Sequence, residues 1–337
     1  MRKIILFMMA IISIGSIFAQ EANPIVFSGN VSSGLKVSFS DTGNYAFAFA
    51  DDAGSPFRIN FRMDYNFDDN AGLTVNLRST ATGQSLGASS RAIPYVNRGF
   101  AWVKFFDGKM RVRSGYLWDT DYESDGNAWD TASVLEWCTS LDFYPIDGME
   151  VGLVVPTSIY GRSLESTVLD TTYGLNWNIT DFGRISAMFQ YGSVVANRSL
   201  NFGLNYTGIK GLSVKLEGDL QQIGIDDIGY YQLYESMSYS ESNMSGTLAV
   251  TECIFKSSDY HVVTPSISFS GTFDWVTITL EAATIIGADM SFGTTTLEAN
   301  MAYHPNPKST IKIGVNDYIL TTGENVIVPF VNFVMGF

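Results

Sequence analysis

Histidine and cysteine are scarce in this chain. Only Cys138, Cys253, His261 and His304 occur among 337 residues. The two cysteines could pair, but their spacing indicates neither a metal site nor a disulfide framework. No nucleotide-binding loop or metal motif is present, and a lone histidine is more often an ordinary structural residue than a catalytic one. We therefore predict a protein that is not an enzyme and that uses no cofactor and no metal.

Basic residues are also few, with 20 lysines and arginines against 34 acidic residues and a formal net charge of −14. An acidic chain is a poor partner for nucleic acid, so we predict no such interaction. No apolar run long enough for a transmembrane helix follows residue 19. Before it, Arg2 and Lys3 precede an uncharged apolar run, which predicts a cleaved signal peptide over residues 1–19, with an uncleaved anchor as the alternative. Its removal takes away two basic residues and no acidic ones, so residues 20–337 carry −16.

Alternation of apolar and polar residues is present from end to end. In 57–67 the odd positions are apolar or aromatic and the even positions are charged or amide: Phe57, Ile59, Phe61, Met63, Tyr65 and Phe67 against Arg58, Asn60, Arg62, Asp64 and Asn66. The pattern recurs over 167–179, 199–207 and 263–274. A period of two places one face of a β-strand against an apolar medium and the other face in water. The sequence therefore predicts an all-β fold.

Applied to all of 20–337, this pattern predicts one domain of sixteen antiparallel strands. They lie near 25–39, 57–67, 72–82, 97–106, 109–118, 133–144, 149–156, 167–179, 183–192, 199–207, 211–221, 262–274, 275–286, 294–303, 309–320 and 326–337. The stretch 222–261 is acidic and rich in tyrosine, and we expect it to form a single long outer loop. In the alternative, 229–239 and 246–256 are two further strands, and the total is 18.

The connections between these strands fall into two classes. Short turns such as Asp107-Gly108 alternate with longer connections rich in Asp, Ser, Thr and Gly. Each strand that runs toward a short turn, and the last strand, ends in an aromatic residue of the apolar face: Phe67, Phe105, Phe143, Trp177, Tyr206, Phe273, Tyr303 and Phe337. Aromatic rings prefer the headgroup level of a bilayer. These features predict a transmembrane up-and-down β-barrel in an outer membrane.

Three segments resemble the trimeric general porins of Gram-negative outer membranes. Residues 25–34 have an apolar pair followed by the pattern Gly-x-Val-x-x-Gly, and residues 97–118 are similar to the fourth and fifth strands of that family. Residues 331–337 look like its closing strand, with a terminal Phe after alternate apolar positions. The resemblance implies that Phe333, Met335 and Phe337 form the signal read by the barrel-assembly machinery. It also implies a homotrimer surrounded by outer-membrane lipid.

The resemblance further implies a constriction in the pore. In general porins the third outer loop folds into the lumen, where its acidic residues face a row of arginines. The loop after the fifth predicted strand here carries Asp119, Asp121, Glu123, Asp125 and Asp130, and the inward-facing arginines by parity are Arg58, Arg62, Arg78, Arg98, Arg111 and Arg113. Opposed fixed charges order water and select solutes by size and dipole. Alternatively, the loop is external and the arginines only solvate the lumen. Phe100 and Trp102 share the parity of Arg98, unless a bulge intervenes.

Passive diffusion of small hydrophilic solutes or ions through a water-filled barrel is the function that we predict. Two alternatives stay open: a non-conducting surface barrel that acts as an adhesin or structural protein, and a substrate-specific channel of 18 strands. A transporter of hydrophobic substrates is disfavoured, because Asn23-Pro24 leads directly into the first predicted strand and leaves no room for a plug.

Overall fold

A computed structural model gives the fold over residues 25–48, 57–80, 93–117, 122, 136–156, 163–224, 228–256 and 260–337. One antiparallel sheet contains β1 (Val26–Ser40), β2 (Tyr45–Ala48), β3 (Phe57–Asp68), β4 (Ala71–Thr80), β5 (Ile93–Phe105), β6 (Met110–Leu117), β7 (Glu136–Phe143), β8 (Met149–Pro156), β9 (Thr172–Ile179) and β10 (Gly183–Gln190). It continues with β11 (Ser199–Tyr206), β12 (Leu212–Ile223), β13 (Ile228–Glu241), β14 (Met244–Phe255), β15 (Tyr260–Phe273), β16 (Val276–Gly287), β17 (Phe292–Asn306), β18 (Ser309–Ile319) and β19 (Asn325–Gly336). Helix α1 (Leu164–Leu169) and a 3₁₀ turn (Val195–Asn197) lie outside the sheet.

The sheet closes on itself as a barrel of 18 strands. Along one edge of β1, Asn30 lies opposite Gly336 of β19, and along its other edge the same residue lies opposite Asn60 of β3. Strand β2 pairs with the same edge of β1 as β3 does, beyond the end of the β3 pairing. Strands β2 and β3 therefore occupy one position in the wall, and the nineteen strands make 18 positions.

The prediction of sixteen strands was wrong, and the alternative of 18 is correct. Strands β13 and β14 fill most of 222–261, which we expected to be a single outer loop, and they pair continuously from Tyr230 opposite Phe255 to Glu241 opposite Met244. Two carboxylates, Glu235 and Glu252, lie among the outward-facing residues of this hairpin. They interrupt the apolar face on which the prediction depended, while pairing of the backbone groups still favours strands.

Two smaller corrections concern the outer rim, which is the rim opposite the short turns. The strand expected over 167–179 begins only at Thr172, because Ser163 caps helix α1 by accepting the Ser166 N–H at 3.0 Å. The connections at this rim are also not uniformly long. Those after β12 span only 224–227, 256–259, 288–291 and 320–324.

The side chains alternate between an apolar outward face and a polar inward face. Most of the predicted aromatic residues near the short turns, including Phe67, Phe143, Phe273 and Tyr303, are exposed on the outside, and Tyr239 of β13 joins them. Buried polar side chains such as Asp142 and Asn201 point inward. This inverted distribution is typical of a barrel whose outer surface lies in a bilayer. Within the described ranges, no helix has the length and apolar character needed to cross a membrane.

Candidate functional site

The inward face of β3–β6 carries all six arginines that parity assigns to the lumen. Arg58 and Arg62 lie on β3 between outward apolar neighbours, Arg78 lies on β4 and Arg98 lies on β5. Arg111 and Arg113 follow on β6. The four strands are consecutive in the wall, so the guanidinium groups form one basic region, which we call the arginine wall.

Asp142 of β7 is the centre of a buried charge network at one end of the arginine wall. Its fully buried carboxylate accepts hydrogen bonds from Arg111 Nε at 2.9 Å and from Arg113 Nη2 at 3.2 Å. Arg111 Nη2 also donates to Glu150 Oε1 at 2.9 Å. Because both cations have carboxylate partners on neighbouring strands, this end of the arginine wall is electrically compensated.

Tyr144 lies in the short turn after β7 and extends this network. Its hydroxyl donates to Glu150 Oε1 at 3.3 Å, and Arg111 lies over its ring. Burial raises the pKa of the Tyr144 phenol, and the nearby Glu150 carboxylate raises it further. The phenol is therefore protonated at neutral pH and can act as a donor.

Tyr122 is the one described residue of the predicted third outer loop, and it lies against the lumen wall. Its hydroxyl donates to Asp142 Oδ1 at 2.5 Å, and the side chain is fully buried. The ring rests on two glycines, Gly152 of β8 and Gly174 of β9, where a Cβ atom on either would overlap the ring. The absence of side chains at these two positions therefore makes room for the tyrosine.

An apolar cluster surrounds Tyr122 on the inward side of β6–β10. Its buried members are Leu117, Tyr122, Cys138, Val154 and Met188, with Phe100 packed against them. This side of the barrel interior is therefore packed with protein. Phe100 and Trp102 both face inward, as their parity indicates, and the bulge in β5 falls at Asn97, beyond Arg98.

The predicted acidic residues of the third loop, Asp119, Asp121, Glu123, Asp125 and Asp130, lie outside the described residues. The structure instead places acidic side chains on the wall itself, at Asp142, Glu150, Glu217 and Asp219. We did not single out these four from the sequence. They could have been found from the sequence, because each occupies an inward-facing position in an alternating segment.

Glu217 and Asp219 lie across the barrel from the arginine wall. Both are on β12, which follows β3 by nine positions in the ring of 18 strands and is therefore diametrically opposite. Both side chains are almost fully buried, and Gln221 Nε2 donates to Asp219 Oδ2 at 2.8 Å. Positive and negative groups on opposite walls set a field across the lumen.

The histidines and cysteines are not brought together. His261 Nε2 lies 2.8 Å from Glu252 Oε1 on the outward face, whereas His304 of β17 lies on the inward face between Thr277 and Thr310. His304 thus belongs to a strand and not to the turn in which we expected it. Both cysteines are free thiols. Among the residues that the structure describes, no three His, Cys, Asp or Glu side chains are grouped to hold a metal.

The residues of the predicted assembly signal lie at the seam of the barrel. Phe333 and Met335 are outward and exposed on β19, and the Phe337 N–H donates to the Gly29 carbonyl at 3.1 Å. The Phe337 ring lies 6.4 Å from that of Phe61. These contacts join the final strand to β1 and its neighbour β3.

The fold is shared with porins of known structure. The chain is similar to Acinetobacter baumannii OccAB4, with a TM-score of 0.61 and 12% identity over 95% of this chain and 100% of that chain. It is also similar to Salmonella typhi OmpF in complex with daunomycin (0.56; 11%; 94% and 98%) and to a mutant of the Rh. blastica porin (0.51; 13%; 93% and 100%). No protein-family model and no curated protein sequence matches it. By its fold, this chain is a closed, porin-like β-barrel of 18 strands.

Proposed function

We propose that this chain is an outer-membrane porin through which small hydrophilic solutes or ions diffuse passively. One observation carries the proposal: the arginine wall on β3–β6 stands opposite Glu217 and Asp219 of β12 inside a closed barrel. Fixed charges of opposite sign across a water-filled passage select solutes by size and dipole. A barrel that served only as a surface anchor would have no need of them.

The third loop narrows the lumen in this proposal. Tyr122, which belongs to that loop, is buried against the wall at Asp142, Gly152 and Gly174, and this position supports a loop that enters the barrel. Asp119, Asp121, Glu123, Asp125 and Asp130 then provide a second acidic surface near the arginines.

The proposal includes the export and the assembly of the chain. Residues 1–19 are removed as a signal peptide, and the barrel-assembly machinery reads Phe333, Met335 and Phe337. The inserted barrels associate as a homotrimer in outer-membrane lipid. The outward exposure of Phe333 and Met335 supports an accessible signal on the last strand.

A substrate-specific channel is the second candidate, and the strand count favours it. Eighteen strands enclose a wider space than sixteen, yet the cluster around Tyr122 fills one side of it. A wide barrel with a partly filled interior suits a passage shaped for one class of solute. In that case a saturating solute blocks the ion current, whereas simple diffusion leaves the current unchanged.

Single-channel recording in a planar lipid bilayer tests the proposal. Residues 20–337 are refolded, folding is verified by heat-modifiable migration on a gel, and the reversal potential is measured across a salt gradient. Arg78 is the residue to change, because its Nε is buried without a hydrogen-bond partner among the described residues. We expect Arg78→Gln to shift the reversal potential toward cation preference, since it removes a lumen cation.

Val75→Gln is the matched control on the same strand, because Val75 faces outward. It is expected to leave the reversal potential unchanged. Folded protein that passes no current would overturn the channel proposal and favour a non-conducting surface barrel. Current with identical selectivity in the parent and Arg78→Gln would remove the arginine wall from the conducting path.

A further inference from the structure

The outward surface of β12–β15 carries two carboxylates on neighbouring strands. In the described strands, three outward-facing carboxylates lie two or more residues from a strand end: Glu235, Glu252 and Asp317. Glu235 and Glu252 are diagonal neighbours on β13 and β14, since Glu235 pairs with Val250 and Leu233 pairs with Glu252. We call the outward-facing residues of β12–β15 the acidic face.

Glu235 lies at the depth of the bilayer centre. On the same strand and the same outward side, Tyr231 is four residues toward the outer rim and Tyr239 is four residues toward the short turns. Outward tyrosines mark the two headgroup levels of a barrel. With a rise of roughly 3.4 Å per residue along a tilted strand, Glu235 lies between the two headgroup levels, about 10 Å from each.

The two carboxylates differ in the polar partners that surround them. Glu252, nearer the outer rim, lies 2.8 Å from His261 Nε2 and is a diagonal neighbour of Tyr231 on β13. Glu235 is exposed, and no lysine or arginine within the described strands faces outward. An ionisable group at the centre of the hydrocarbon is costly and marks a functional site that needs a polar partner. Within the described strands nothing supplies that partner for Glu235.

A hollow beside Glu235 gives the acidic face a shape that another protein surface can fill. Its volume is about 520 Å³, and its lining combines the outward-facing Leu216, Glu235, Met237, Leu248, Val250 and Pro265 with the inward-facing Lys215, Ser236 and Ser266. Proline has no N–H for the ladder, and the pairing of β15 with β16 is interrupted between Val263 and Ser266. The outward part of the hollow is thus apolar with one carboxyl group in its wall.

We propose that the acidic face is the contact between copies of this chain, with Glu235 at the symmetry axis. The inference rests on the proposed homo-oligomer and specifies which face forms it. Copies related by an axis along the membrane normal place the same residue at the same depth. Carboxyl groups from different copies then meet in a dry contact, where they share a proton and hydrogen-bond to each other.

The size of the acidic face suits such a contact. Four strands at about 6 Å spacing around a tilted barrel and an apolar band of about 25 Å give roughly 600 Å² per copy. Two copies then bury on the order of 1,200 Å², which is within the range of specific interfaces.

Disulfide cross-linking in the refolded full-length mature chain tests the contact. Glu235→Cys is oxidised in lipid vesicles and analysed on a non-reducing gel, with Val75→Cys as the control. Val75 is an outward residue of β4, nine positions from β13 and therefore on the opposite side of the barrel. We expect a cross-linked dimer for Glu235→Cys and none for Val75→Cys.

The possible results distinguish a wrong contact face from the absence of an oligomer. An oligomer by native mass spectrometry that cross-links through Val75→Cys, or through neither position, would overturn the acidic face as the contact. A monomer by native mass spectrometry would overturn both proposals.

A second pair of variants keeps the inference testable without cysteine. The temperature at which the oligomer dissociates in detergent is compared for Glu235→Leu and Glu235→Gln. We expect dissociation at a lower temperature for Glu235→Leu and near the parent value for Glu235→Gln, because an amide can still hydrogen-bond to its copies. Single-barrel conductance is unchanged in both, since the residue faces away from the lumen. Dissociation of Glu235→Leu at the parent temperature would refute the contact.

Discussion

The barrel wall from β6 to β11 differs from the wall from β12 to β19. Each of the six strands in the first region has eight residues, whereas the strands of the second have 11 to 15. The connections at the outer rim show the opposite trend. They span 118–135 and 157–171 in the first region but only 256–259 and 320–324 in the second.

The inward faces of β7–β8 and of β15–β18 differ in the same way. Asp142, Ser140 and Val154 on β7 and β8 are fully buried, and they belong to the network and apolar cluster around Tyr122. On β15–β18 the inward side chains are mostly part-exposed, and Asn300 is the most buried of them. We infer that protein fills the lumen beside β7 and β8 and that the aqueous path follows β15–β18.

Removing the carboxylate of Asp142 should have the largest effect. Asp142→Ala removes one shared carboxylate acceptor from two guanidinium groups and one phenol, and breaking a buried ion pair in this way costs about 3–5 kcal/mol. Urea unfolding in lipid vesicles, followed by tryptophan fluorescence, measures the loss. A loss below about 1 kcal/mol would show that the first region is hydrated, and the contrast between the regions would disappear.

A methyl group under Tyr122 should have the next largest effect. Gly174→Ala forces the ring away from the wall, and overpacking of this kind costs about 1–3 kcal/mol in the free energy of unfolding. In a Tyr122→Ala background the same change should cost much less, because no ring remains to be displaced. Gly246→Ala in the second region is the control, since its Cβ would meet only the edge of the Phe269 ring. Equal costs with and without Tyr122 would contradict the described contact.

Breaking the Glu298–Lys312 ion pair in the second region should have the smallest effect. Lys312 Nζ lies 3.0 Å from Glu298 Oε1, and both side chains are part-exposed in the lumen. Glu298→Gln should therefore lower the free energy of unfolding by no more than about 1 kcal/mol. The urea assay used for Asp142→Ala measures the change. A loss as large as that of Asp142→Ala would mean that the inward face of β15–β18 is as dry as that of β7 and β8.

Much of the wall could be predicted from the sequence because one side of each strand faces an apolar medium and the other side faces the lumen. The inward direction of Arg58, Arg62 and Arg78 follows from alternation alone, and so does the outward direction of Phe67. The predicted number of strands was wrong because β13 and β14 depart from this alternation. Glu235 and Glu252 place carboxylates on the apolar side, and a stretch with such residues has the composition of a loop although its backbone is fully paired.

The interior was harder to predict than the wall. The alternation around Asp142 and Glu150 indicates that both face inward, but the ion pairs that they make depend on the register between strands. The burial of Tyr122 depends on Gly152 and Gly174, which lie 30 and 52 residues further along the chain. No local pattern relates a loop tyrosine to two strand glycines, so this contact required the three-dimensional structure.

The seam between β1 and β19 has a consequence for folding kinetics. Residues more than three hundred positions apart, such as Asn30 and Gly336, must meet before the last pair of edges is satisfied. Closing so long a loop is entropically slow, and until it closes both edge strands present unpaired backbone groups that can join other chains. We therefore expect closure of this seam to be the late, rate-limiting event of folding, with aggregation as its main competitor.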